Sequence, residues 1–222
     1  MTWNVKLRRR AIALGIFAGA AVCSAQYHVL PGKLDSNGLP TTPARICPGT
    51  SGTEHCYTPS SDKYAFGLEP RARVVGKLDG HDIILYTATY SAGGSGTLTN
   101  LALLEQQSCD FVNLLPTVQL TNQGEYKLWN LPGVSKAPAL VTADFVWDFE
   151  ARKAPHDTQE THLAAHRYTV NMYVFDEKLG RYMQRVRYVT TNEYPGLNDK
   201  DAVRVLDSER ATILARLHPG LE

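Results

Sequence analysis

The feature that most constrains the fold is an alternation of apolar and polar residues that starts near Pro138 and continues to Thr191. Val141, Ala143, Phe145, Trp147 and Phe149 take every second position, with Thr142, Asp144 and Asp148 between them. Side chains of a strand point alternately to opposite faces, whereas a helix would spread these residues around its circumference. Tyr168, Val170, Met172 and Val174 repeat the pattern, as do Tyr182, Val186 and Tyr188. Residues 176–180, Asp-Glu-Lys-Leu-Gly, separate the last two runs, which predicts a hairpin.

The register of this hairpin follows from the rule that opposed residues share a face. A five-residue loop makes paired numbers sum to 356 and predicts Tyr168 opposite Tyr188, Val170 opposite Val186 and Val174 opposite Tyr182. The other face then pairs Thr169 with Arg187, Asn171 with Arg185 and Phe175 with Arg181. A four-residue loop would set Val170 against Arg187, so the five-residue loop is preferred. Each apolar or aromatic cross-strand pair then contributes roughly 0.2–1 kcal/mol.

Upstream, strand signals are dense. Residues 71–78 and 81–90 flank Asp79-Gly80, a two-residue hairpin turn. Further strands are expected at 97–104, 110–115, 118–120 and 125–131, punctuated by Pro116, Asn122-Gln-Gly124 and Pro132-Gly133. The glycine-rich stretch 91–96 lacks the Lys-Ser/Thr of a phosphate loop and reads as a turn. Near the end, Leu206, Arg210, Ile213, Leu214 and Leu217 fit helical spacing, with Ser208 as N-cap. The expected fold is mainly β, an antiparallel sandwich, barrel or propeller-like sheet with one short C-terminal helix. No internal repeat is visible, which weakens the propeller.

The first 25 residues read as a cleaved signal peptide. Lys6, Arg8, Arg9 and Arg10 precede an apolar run from Ala11 to Val22 and small residues up to Ala25. That run is too short to span a bilayer core, which takes about 20 residues. The mature chain is expected to start near Gln26 and to be secreted or periplasmic. A lipoprotein anchored at Cys23 is the minority alternative, disfavoured by Val22 before the cysteine. Removing four of the 23 basic residues leaves 19 against 22 acidic ones, a net charge near −3. Such a balance argues against a nucleic-acid partner.

Residues 26–70 contain six of the twelve prolines and read as an arm or linker, leaving 71–222 as a single β-rich domain. Within the arm, Cys47 and Cys56 enclose a short Gly-rich loop and are expected to form a disulfide. Closing that loop would stabilise it by roughly 2–3 kcal/mol. Cys109 is then the odd cysteine and is expected to stay reduced.

Chemistry is concentrated just before the hairpin. His162 and His166 lie four apart and would share a face of a helical turn, with Glu160 as a further ligand for a divalent metal. The residue after the first histidine is Leu163 rather than Glu, so the helical metallopeptidase motif is incomplete. If the segment is extended, the two histidines lie about 13 Å apart and cannot chelate one ion. Asp144, Asp148 and Glu150 supply carboxylates of the kind glycoside hydrolysis uses, but alternate polar positions also describe a solvated strand face. Arg181, Arg185 and Arg187, read first as a solvated outer face, are with Tyr173 the candidates for ligand binding.

No catalytic motif is complete. The chain is therefore expected to be an exported, non-catalytic β-domain that binds a protein, an envelope component or a carbohydrate. The competing expectation is a metal-dependent or carboxylate-based hydrolase using Glu160, His162 and His166 with Asp144 or Asp148.

Overall fold

The computed structural model describes residues 26–49, 55–59, 67–91, 97–107, 109–116, 118–121, 124–146, 166–194 and 204–217. Strands β1 (Tyr27–Leu30) and β4 (Arg45–Pro48) pair antiparallel, and between them β2 (Lys33–Leu34) and β3 (Pro40–Thr42) form a small hairpin. A first large antiparallel sheet contains β5 (Glu69–Leu78), β6 (His81–Ser91), β7 (Thr97–Gln107) and β8 (Asp110–Asn113), with β9 (Val118–Leu120) also pairing to β7. A second runs β10 (Glu125–Trp129), β11 (Ala139–Phe145), β12 (Tyr168–Asp176) and β13 (Arg181–Val189). Neither sheet closes on itself, so the fold is sandwich-like rather than a barrel. At the β5–β6 turn Asp79 and Gly80 have φ of 48° and 91°, the left-handed pair of a tight hairpin turn expected from Asp-Gly.

Layering follows from the apolar faces. Leu140, Phe175 and Tyr182 of the second sheet pack against Ile83, Leu85, Leu101 and Leu103 of the first. The opposite face of the second sheet carries Val141, Val170, Met172 and Val186, which bury Val205, Leu206 and Ile213 of the C-terminal helices α1 (Val205–Ser208) and α2 (Arg210–Leu217). The outer face of the first sheet, Ile84, Tyr86, Ala88, Ala102 and Leu104, is covered by Ala44 and Ile46. The central strands β6, β7 and β11 are thus buried on two faces, and six consecutive residues of β6, Ile83 to Ala88, are all buried. Strands covered on both sides lose the alternation that a half-solvated strand shows.

The segment expected as an arm or linker is therefore packed where it is described. Ala44 and Ile46 are fully buried. Two backbone bonds tie it to the start of β5: Gly32 N–H donates to Leu68 O at 2.8 Å and Ala44 N–H to Gly67 O at 2.9 Å. Cys47 and Cys56 are disulfide-bonded, as their spacing predicts. Cys109 is also disulfide-bonded, which corrects the expectation of a reduced thiol. The chain's other cysteine, Cys23, lies outside the described residues with the rest of the predicted signal peptide.

The hairpin register differs from the 356 rule. Asp176 faces Arg181, Phe175 faces Tyr182 and Tyr173 faces Gln184, so the loop is the four residues Glu177 to Gly180. A β-bulge follows: Tyr173 pairs with Gln184 but Met172 pairs with Val186, leaving Arg185 as the extra residue. Beyond it Val170 faces Tyr188 and Asn171 faces Arg187. The four-residue loop alone would have opposed Val170 to Arg187, and the bulge corrects that mismatch by one residue. Phe175 thus pairs with Tyr182 instead of Arg181, their rings edge-to-face with centroids 5.5 Å apart. The helix also differs in detail, since it begins at Val205 with Arg204 at the N-cap and is divided at Glu209. Ser208 lies inside it.

Candidate functional site

The face of the second sheet that looks toward the first changes character along its length. Leu140, Phe175 and Tyr182 make one end apolar. The register carries the same face through Thr142 opposite Asn171 and Asp144 opposite Thr169. This polar end is met by β9, only three residues long, whose Val118 and Leu120 point inward and are buried. The result is a cleft of 250 Å³ lined by Val118, Gln119, Leu120, Thr142, Asp144, Phe145, Thr169, Asn171 and Tyr173. Asp144 therefore does not lie on a solvated outer strand face as the alternation suggested. It points between the sheets, because β11 is covered on both sides.

Hydrogen bonds fix the polar groups of the cleft. Gln184 Nε2 donates to Asn171 Oδ1 at 2.7 Å, and Asn171 Nδ2 donates at 3.4 Å to the hydroxyl of Thr142, itself fully buried. Asp144 Oδ1 accepts three bonds, from Thr121 N–H at 3.0 Å, the Thr121 hydroxyl at 2.7 Å and Phe145 N–H at 3.0 Å. This oxygen clamps the turn between β9 and β10. A Cβ at Gly124 in that turn would come within 2.6 Å of Leu120 Cβ and 3.1 Å of Asp144 Oδ1, so the close approach requires glycine. Gln119 contributes to the wall, but strand alternation turns its side chain to the other face, where Nε2 donates to Asn100 Oδ1 at 3.0 Å. Burial pushes the Tyr173 phenol above its usual range, opposed by the positive charge of Arg187. At neutral pH Tyr173 is a neutral hydrogen-bonding group beside an aromatic face.

The four residues singled out for binding separate into two groups. Tyr173 lines the cleft, and Arg187, cross-strand partner of Asn171, stands on the same face beside it. Arg181 is at the hairpin turn opposite Asp176, and Arg185, the bulge residue, donates to Asp176 Oδ2 at 2.6 Å. The metal candidates Glu160 and His162 lie outside the described residues. His166 is described and buried, its backbone paired with Tyr194 and its ring centroid 4.0 Å from that of Phe145. Phe145 and Asp144 project to opposite faces of β11, so His166 and Asp144 do not converge. No group of three His, Cys, Asp or Glu side chains among the described residues is placed to hold a metal ion. Asp148 and Glu150 lie outside the described residues.

Sequence reasoning missed Thr142, Thr169 and Asn171 as a set. Their signal was present as polar residues at successive same-face positions of strands whose other face is uniformly apolar. It is ambiguous until the covering layer is known. A second polar cluster was missed in the helix layer, where buried Glu209 accepts bonds from Tyr188 Oη at 2.7 Å and Tyr194 Oη at 2.5 Å. All three groups are satisfied by one another, and the cluster locks the helix onto the sheet. Comparison with protein families, with curated proteins and with solved structures finds no match to this chain.

Proposed function

We propose that the protein is an exported, non-catalytic β-domain that binds a protein, envelope component or carbohydrate, and that the cleft between its sheets is the binding site. The observation that carries this reading is the break in the inter-sheet core. Where a sandwich normally closes on apolar side chains, Thr142, Asp144, Thr169 and Asn171 occupy four adjacent same-face positions above a 250 Å³ cleft. Ligand sites combine a preformed concavity with a few convergent polar groups, and this one supplies hydroxyl, carboxylate and amide from two neighbouring strands. Placement on rigid strands rather than on loops suits recognition by a fixed constellation.

Export is supported by the basic and apolar N-terminal sequence and by the Cys47–Cys56 disulfide, a bond that persists in oxidising compartments. No helix among the described residues is long and apolar enough to cross a membrane. A non-catalytic role is favoured by the arrangement of Asp144, the carboxylate among the described residues that line the cleft. Asp144 Oδ1 is committed to the neighbouring turn, and His166 projects to the other face of the sheet.

The test is amide chemical-shift mapping of the isotopically labelled exported protein, titrated with periplasmic or secreted protein, envelope extract and soluble oligosaccharides. The expected outcome is a set of shifts centred on Thr142, Thr169, Asn171 and Tyr173. Those shifts should be lost in Thr169→Trp, which fills the cleft, while its thermal melt stays close to the parent. Shifts centred elsewhere, or retained in the filled variant, overturn the assignment of the site.

A further inference from the structure

Accepting the cleft as the binding site, we infer that its ligand is an acidic saccharide, whose carboxylate is held by Arg187 and whose hydroxyls are read by Asp144, Thr169 and Asn171. Four observations point to that chemistry. The first is the state of Arg187. The guanidinium has no ion pair or hydrogen bond among the described residues and stands next to the cleft residues Asn171 and Tyr173, whereas Arg185 on the same strand is paired with Asp176. A planar fork without a hydrogen-bonding partner among the described residues, one strand over from the cleft residue Asn171, matches a carboxylate bidentately.

The second is the placement of charge. Arg187 is the cross-strand partner of Asn171, and Asp144 is the partner of Thr169, so the cation and the anion border the same face from different strands. Two inter-strand spacings across and two residues along separate their Cα atoms by roughly 12 Å. A small inorganic anion would meet Arg187 and gain nothing from the remainder of the cleft. A bipolar ligand with a carboxylate at one end and hydroxyl donors at the other satisfies both ends.

The third observation is the neutral chemistry between those ends. Thr169, Asn171 and Tyr173 offer a hydroxyl, an amide and a phenol, groups that both donate and accept. Hydroxyl groups likewise donate and accept, and vicinal hydroxyls of a sugar ring present them in pairs. The fourth is Tyr173, whose partly buried ring gives the less polar face of a sugar a surface to lie on, while Arg187 acts electrostatically on its phenol.

The experiment uses the full exported chain and a panel of soluble oligouronates, each beside its carboxyl-reduced counterpart, so that stereochemistry is held constant while the charge is removed. Calorimetric titration should show at least one oligouronate binding at least tenfold more tightly than its reduced form. Arg187→Gln should remove most of that difference, and its melting temperature should stay close to the parent's because exposed Arg187 makes no hydrogen bond or ion pair among the described residues. Affinity should fall as salt is raised. Equal binding of the charged and reduced sugars, or an unaltered preference in Arg187→Gln, overturns the acidic-saccharide inference while leaving the cleft as a saccharide site. Absence of saccharide binding, with another ligand class shifting Thr142, Asn171 and Tyr173, overturns the inference alone. Absence of any ligand-dependent shift in the cleft overturns the site itself.

Discussion

Deleting Arg185 should destabilise the protein far more than mutating it, because the residue's main contribution is to be counted. With Arg185 present, the near-turn half of the hairpin pairs with sums of 357 and the far half with sums of 358. Without it, the far half of β13 slips by one position and Val186 and Tyr188 exchange faces with Arg187 and Val189. Val186 is 4% exposed and packs on Val170 and Met172; turning such a side chain to water costs about 1.5–3 kcal/mol. Tyr188 would lose its bond to the Glu209 carboxylate, a further 1.5–3 kcal/mol or so. Arg187 turned toward the helix layer adds the cost of an unpaired charge. If the turn shortens instead, the near half slips and Tyr182, whose hydroxyl donates to Pro138 O at 2.9 Å, leaves the inter-sheet core. The first response costs at least about 3 kcal/mol and the second, through the burial and hydroxyl bond of Tyr182, about 2–4 kcal/mol, each a large part of an ordinary 5–15 kcal/mol stability. Arg185→Ala keeps the extra residue and loses only an ion pair whose arginine is half exposed, under about 1 kcal/mol. Urea unfolding of both variants measures the contrast. A deletion variant within 1 kcal/mol of the parent, or an alanine variant as damaged as the deletion, would refute the reasoning from the bulge.

Glu209→Ala should cost about 2–4 kcal/mol in chemical denaturation, because it strands the hydroxyls of Tyr188 and Tyr194, whereas Glu209→Gln retains an acceptor and should cost less. Alkaline unfolding should set in between pH 10 and 12. Burial pushes the phenols of Tyr57 and Tyr168 up to about 12, so over that window the folded state holds protons that the unfolded chain has released. That contribution is intact below pH 10 and is lost as pH rises, at up to about 1.4 kcal/mol per pH unit for fully buried Tyr168; phenolate absorbance should rise together with loss of the β-sheet circular dichroism signal. Thiol titration of the native exported protein should find Cys109 oxidised. A chain beginning at Gln26 has three cysteines, which cannot all pair within one monomer, so an oxidised Cys109 should appear by intact mass as retained Cys23, a disulfide-linked dimer or a small-thiol adduct; a free Cys109 thiol would reject the oxidised assignment.

The alternation over 138–191, the Asp79-Gly80 turn and the Cys47/Cys56 loop were enough to determine a mainly β chain, two of its hairpins and one of its disulfides. Each rests on interactions between near neighbours in sequence, where side-chain periodicity, a left-handed turn residue or a short loop leaves few alternatives. Register, layering and the site were decided elsewhere. A strand pattern says that Thr142 and Asp144 share a face with Leu140, but whether that face meets water or another sheet depends on β7 and β9, some twenty to forty residues away in the chain. The bulge at Arg185 is likewise invisible locally. Turn geometry favours the four-residue loop, the cores on the two sides of the sheet demand opposite parities at its two ends, and an extra residue satisfies both. The cleft exists because three residues of β9 cover what a longer strand would close, and the extent of coverage is a property of the assembled sheets, not of any one segment's hydrophobic pattern.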